Sequence, residues 1–229
     1  MPSSTSAQPS LADLGATPRR ELRTRNAGWA RLLARQLARL GVRPNAVSTA
    51  SIVFAGLAGL CLAISPAAGG GGRAALFLVA AALVQMRLLC NLLDGMLAVE
   101  HGLATRNGLL YNEIPDRIAD VIVLAGAGYA TGSATWGAAL GWTAAALALF
   151  TAYIRVLAGS LGVTQSFAGP MAKQHRMFII TVVAMASAAE AWLGLPMRAM
   201  PIGLAIVVFG AIVTIARRIH RMSRELEAR

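Results

Sequence analysis

The sequence predicts an all-α integral membrane protein, six transmembrane helices preceded by an amphipathic interfacial helix. Three observations predict it. Apolar side chains make up 56% of the 229 residues and charged ones only 14%, against roughly 25% charged in a soluble domain. The mean hydropathy is +0.60, and the apolar residues come in long blocks separated by short polar joints, the pattern of helices crossing a bilayer. The cations behind the net charge of +11 and the pI near 11.4 gather at the ends of those blocks. There they orient a membrane protein rather than hold nucleic acid. A water-soluble enzyme or a DNA-binding domain is excluded.

Residues 1–18 are rich in Ser, Ala and Pro, and no long apolar run follows a short basic start. A disordered, retained tail is expected there rather than a cleavable signal peptide. Residues 19–43 are expected to form a basic amphipathic juxtamembrane helix. Trp29, Leu33, Leu37 and Leu40 share one face and Arg31, Arg35 and Arg39 another, which lays a helix in the headgroup plane with its apolar side down. Gly41 stops that helix and Pro44 turns the chain into the bilayer. Six spans follow, at 46–65, 74–98, 109–131, 136–157, 177–192 and 197–216, making a transmembrane domain of 44–216 before a basic cytoplasmic tail, 217–229. The joint 66–73, with four consecutive glycines, reads as a flexible loop. Cys61 and Cys90 fall inside apolar blocks and read as small buried side chains, not as a disulfide or zinc ligands. The absence of an internal repeat gives an inverted-repeat transporter no support.

Counting Lys and Arg sets the orientation. Eight precede the first span, one lies between the second and third, three run from Arg155 to Arg176 around the joint of the fourth and fifth, and five follow the sixth. The other side has only Arg73 and Arg198. With an even number of spans, both termini are expected in the cytoplasm of a bacterial-type inner membrane.

Five of the ten acidic residues, Asp94, Glu100, Glu113, Asp116 and Asp120, fall between the end of the second span and the first half of the third. Ionisable groups at membrane depth are costly, and they mark an ion site, a proton path or a catalytic centre. Asn91 and Asp94 sit three apart on one face; Asn112, Asp116 and Asp120 recur every four residues, with Glu113 beside them. Two such stripes facing each other present hard oxygen ligands suited to Mg²⁺, Mn²⁺ or Ca²⁺. The same residues would serve a cation or proton carrier, or an interhelical hydrogen-bond network in a catalytically silent scaffold.

The stretch Asn91-Leu-Leu-Asp94-Gly95-Met-Leu-Ala98-Val99, eight residues, then Gly108-x-x-x-Asn112-x-x-x-Asp116 resembles the signature of the CDP-alcohol phosphotransferase family. That signature is Asp-x-x-Asp-Gly-x-x-Ala-Arg, eight residues, Gly-x-x-x-Asp-x-x-x-Asp, and every spacing matches. Pro44-Asn45-Ala-Val-Ser48 resembles the family's Pro-Asn-x-x-Thr/Ser start of the first span. The resemblance covers residues 25–216. It implies transfer of a substituted phosphate from CDP-diacylglycerol or a related CDP-alcohol to an alcohol, with release of CMP, in phospholipid synthesis.

By this resemblance Asp116 is the catalytic base, and a divalent cation, Mg²⁺ or Mn²⁺, is held by Asp94, Asn91, Asn112 and Asp116, with Glu113 and Asp120 to compensate for missing charge. The CDP moiety falls to Ser48, Asn91, Asp94, Gly95, Ala98 and Gly108. Three positions depart from the family: Asn91 and Asn112 replace aspartates, and Val99 replaces the arginine, whose phosphate contact Arg106 or Arg87 would take over. The run from Tyr111 to Asp120 resembles a bacterial branch that also pairs Asn with a following Glu, which favours a modified active site over a dead one.

A second polar group, Arg155, Gln165, Ser166, Lys173, His175 and Arg176, surrounds the joint of the fourth and fifth spans. Arg155, Lys173 and Arg176 read either as an anion pocket for a phosphorylated acceptor or donor phosphates, or as topology-setting charge alone. His101 and His220 read as solvated. Gly128-x-x-x-Gly132 and Gly137-x-x-x-Gly141 suit close helix contact or dimer packing. The expected partners are a CDP-diacylglycerol-type donor, a small alcohol, free or phosphorylated, membrane lipids and a second copy in a homodimer, with no nucleic acid.

Overall fold

The computed structural model describes residues 28–100, 108–164 and 169–228. The tail 1–18, the start of the juxtamembrane helix at 19–27, and His101, Arg106, Gln165, Ser166 and the side chain of Glu100 lie outside the described residues. Among the described residues the chain is helical, with no strand. The helices are α1 (Gly28–Arg39), α2 (Pro44–Ile64), α3 (Gly70–Glu100), α4 (Gly108–Tyr129), α5 (Trp136–Ser160), α6 (Lys173–Trp192) and α7 (Ala199–Glu227).

Pro44 opens α2 at a position where the missing N–H costs nothing. A short 3₁₀ turn, Ser65–Ala67, follows α2, and α3 begins at Gly70. The expected loop 66–73 is therefore shorter than its glycines suggest. Arg73 draws the ends together: its Nε donates to the Ser65 carbonyl at 3.0 Å and its Nη2 to that of Pro66 at 2.5 Å. Those two bonds hold the 3₁₀ turn against the start of α3.

α4 is the central rod. It packs against α2 on one side and α5 on the other, while α3 packs on α6, and α7 on α5 and α6. The approach is close because glycines meet: a Cβ on Gly126 would stand 2.5 Å from the Gly59 carbonyl, and one on Gly141 would stand 2.6 Å from the Gly128 Cα. Gly128 and Gly141 thus serve contact within one chain. The apolar core runs through Ala58, Leu62, Phe77, Val84, Leu124, Ile180 and Leu204. A smaller cluster, with Leu93, Met96 and Leu97 of α3, receives Leu33 and Leu37 of α1. Trp29 of α1 and Leu40 just after it are exposed, so the apolar face is divided between protein and surroundings.

Four helical stretches are long and apolar enough to cross a membrane: Pro44–Ala67, Gly70–Val99, Trp136–Ser160 and Ala199–Glu227. α4 and α6, with 22 and 20 residues, have the length for a ~30 Å hydrocarbon core. Charge keeps them out of that set: α4 carries Glu113, Asp116, Arg117 and Asp120, and α6 carries Lys173, Arg176 and Glu190. α6 starts four residues before the expected span, which places Lys173 and Arg176 on its first turn. α7 runs past residue 216 to Glu227, so most of the expected C-terminal tail is helix.

Candidate active site

Three charged side chains are buried where α3, α4 and α6 meet. Asp120 accepts from Arg87 Nη2 through Oδ1 and from Arg176 Nη2 through Oδ2, both at 2.7 Å. Arg87 is fully buried, and it also donates to the Asp116 backbone carbonyl at 3.2 Å. Arg176 adds bonds to Thr151 Oγ1 at 3.1 Å and the Met171 carbonyl at 3.0 Å. A carboxylate shared by two guanidiniums is stable at this depth because every charge has a partner. Both Asp120 oxygens are therefore taken.

One turn earlier on α4, Asp116 takes the Lys173 ammonium on Oδ2. Its other oxygen, Oδ1, is buried without a hydrogen-bond partner, 3.5 Å from Arg87 Nη2. Across on α3, Asp94 accepts from the Ser48 hydroxyl at 2.5 Å and is near enough to feel the charges of Asp116 and Lys173. Asn91 is half-buried, with an unpartnered amide nitrogen. Gly95, Ala98 and Gly108 are half-buried, and Asn112 is exposed one turn before Asp116. Glu113 bonds Arg117 within α4 and accepts from Arg155 Nη2 of α5 at 2.6 Å.

Among the described residues, no three His, Cys, Asp or Glu side chains converge as a metal site. Asp94 and Asp116 nevertheless fit a hard cation. They are two buried carboxylates on facing helices, one with a free buried oxygen, and the Asn91 amide can add a neutral oxygen ligand. Glu113 and Asp120, counted among the metal ligands in the sequence, are each held by two guanidiniums instead.

A cavity of about 180 Å³ opens beside this group. Asp116, Glu113, Arg117, Thr151, Arg155, Lys173, Arg176 and Arg218 line it, so five cations face two carboxylates. Arg155, Lys173 and Arg176, singled out in the sequence, do meet there. Arg117, Thr151 and Arg218 were missed. Arg218 donates to the Thr151 carbonyl at 2.6 Å and continues the buried stripe Leu204, Val207, Ala211 and Thr214 of α7, so extending the 3–4 periodicity would have found it. The α6 end of the cavity is fixed by the turn before it. Gly169 has φ 135°, a Cβ there would strike Thr214, and the Met171 amide donates to Thr214 Oγ1 at 3.0 Å. His175 and His220 are exposed.

No family model matches the chain, and no curated protein does. Solved structures do. The crystal structure of Mycobacterium tuberculosis phosphatidylinositol phosphate synthase (PgsA1) with CDP-DAG bound has a TM-score of 0.69, with 22% identity across 86% of this chain and 94% of that one. The chain has the fold of that synthase. The same enzyme in complex with manganese and citrate has a TM-score of 0.68, at 22% identity over 84% of this chain and 88% of that one. Its apo form has a TM-score of 0.65, at 23% identity over 82% and 93%.

Proposed function

We propose that this chain is a membrane-embedded CDP-alcohol phosphotransferase, moving a phosphatidyl group from CDP-diacylglycerol or a related CDP-alcohol to an acceptor hydroxyl with release of CMP. The observation that carries the reading is the pairing of Asp94 and Asp116, at the motif spacing, beside a cavity whose charged lining is mostly cationic. A fold shared with a synthase that binds CDP-DAG supports it. The accompanying reading is of six spans, α2 to α7, with both termini in the cytoplasm of an inner membrane, as the distribution of Lys and Arg supports.

Ser48 fixes one oxygen of Asp94, so the other faces the ligand in a set orientation. Gly95 and Ala98 leave room for the nucleotide against α3. A divalent cation at Asp94 and Asp116, with the Asn91 and Asn112 oxygens, would neutralise the diphosphate and polarise the phosphorus under attack. Asp116 accepts the acceptor's hydroxyl proton as its oxygen bonds to the phosphorus carrying the diacylglycerol. The bond from that phosphorus to the bridging oxygen breaks, and CMP leaves with the oxygen and its electron pair. Arg155, Arg176 and Arg218 favour an acceptor that carries a phosphate.

Purified protein in nanodiscs, incubated with CDP-diacylglycerol, Mn²⁺ or Mg²⁺ and a panel of free and phosphorylated alcohols, tests the reading. CMP release dependent on donor, acceptor and metal is expected. Cation flux through proteoliposomes without CMP release would favour a carrier, and neither activity would favour a silent scaffold.

A further inference from the structure

We infer that this site is built for one divalent cation per chain, and that Lys173 supplies the second positive charge facing the donor's diphosphate. The inference rests on the phosphotransferase reading for its ligand, and on the observed side chains for its count.

Among the described residues, two carboxylates are available to a metal. Asn91 and Asn112 are uncharged, and Glu113 and Asp120 are each committed to two guanidiniums. A pair of metal ions about 4 Å apart needs carboxylate oxygens enough to hold both. Here Asp116 offers one, its buried Oδ1, which has no hydrogen-bond partner and stands 3.5 Å from Arg87 Nη2, because Oδ2 carries the Lys173 ammonium. One oxygen of Asp94 is likewise held by Ser48. What is left suits a single ion between the two helices.

Lys173 is the only lysine in the chain; its ammonium pairs with Asp116, and its backbone is held in place. It is the first residue of α6, directly behind the turn that Gly169 and the Met171 amide pin to Thr214. Arg176, one turn later, holds the Met171 carbonyl from the other side. An ammonium positioned by the fold requires no loading from solution and is a point charge suited to phosphate oxygens. A second divalent ion at the same place would meet that fixed charge at close range in a poorly screened site.

The test is the number of Mn²⁺ ions bound by the full chain in nanodiscs, read by electron paramagnetic resonance with CDP present, alongside CMP release. One ion per chain is expected. Lys173→Met should tighten Mn²⁺ binding by about tenfold or more, through loss of a neighbouring positive charge. Lys173→Met combined with Asn112→Asp should admit a second ion, whereas Lys173→Arg should still bind one. If Lys173→Met does not fold, as judged by its elution as a single species, Asn112→Asp alone decides: it should still bind one ion while Lys173 is present. Two ions or none in the unaltered chain, or unchanged Mn²⁺ affinity in a folded Lys173→Met, would overturn the inference. Two ions with normal CMP release would leave the phosphotransferase reading standing. One ion with the expected Lys173→Met response, but no CMP release from any alcohol, would sink that reading and keep the ion count.

Discussion

The Ser48 hydroxyl donates to Asp94 Oδ2 at 2.5 Å and ties the first turns of α2 to the final turns of α3. Both side chains are buried, so the bond sets which way the carboxylate faces. Ser48→Ala should lower kcat/KM for the CDP donor by about tenfold, the size of one charge-assisted hydrogen bond, while Ser48→Thr, which keeps the hydroxyl, should stay near normal. CMP release at varied donor concentration measures both. An alanine variant as active as the threonine one would remove Ser48 from the site.

Asp116 keeps a carboxylate where Asn112, one turn earlier, is an amide. An amide still offers a lone pair to a metal but takes no proton near neutral pH. Asp116→Asn should therefore reduce kcat by about 10²-fold or more, with a smaller loss of Mn²⁺ affinity, and Asn112→Asp should be tolerated. Near-normal turnover by Asp116→Asn would rule out the proton-acceptor role. Asp120 could not inherit that role without releasing two arginines.

The cluster of Asp120, Arg87 and Arg176 predicts an asymmetry in stability. Asp120→Asn or Arg176→Met leaves a buried charge uncompensated and should destabilise the folded protein by about 3–5 kcal/mol. Arg117→Met, at a partly exposed pair with Glu113, should cost no more than about 1 kcal/mol. Thermal unfolding in the same detergent compares them; equal midpoints for Asp120→Asn and Arg117→Met would contradict the assignment of the cluster as the keystone of α3, α4 and α6.

Orientation is open to direct measurement. A cysteine placed at Arg224 should react with an impermeant thiol reagent only from the cytoplasmic side, and one at Gly70 only from outside. Modification of both from one face would defeat the six-span arrangement.

Much of the site was legible in the sequence because polar residues at helical spacing stand out in apolar helices. Asn91, Asp94, Asn112 and Asp116 needed only their own helix to be placed on a common face. The partners were hidden because they come from elsewhere in the chain. Nothing near Asp120 announces that Arg87, 33 residues earlier, and Arg176, 56 later, will meet its two oxygens. Arg218 was read as tail since basic residues after an apolar block usually mark the membrane boundary, yet the buried stripe of α7 continues through it. The glycines at 70–72 suggested a loop, but Arg73 capping the preceding carbonyls lets α3 begin there.

The same three-way ion cluster has a bearing on how the chain is made. α4 and α6 are too highly charged to count with the four strongly apolar helices, and the partners of Asp120 and Arg176 lie on other helices. As synthesis proceeds, α3 reaches the membrane first with Arg87, and α4 then brings Asp120 to meet it, so this pair is best accommodated as a hairpin. Arg176 arrives only after α5 has been threaded. Until then Asp120 has one guanidinium instead of two, and α4 has reason to stay beside α3 near the insertion machinery rather than move into lipid. In this chain the order of translation is thus also an order of charge neutralisation, with the second guanidinium of Asp120 supplied only when α6 arrives.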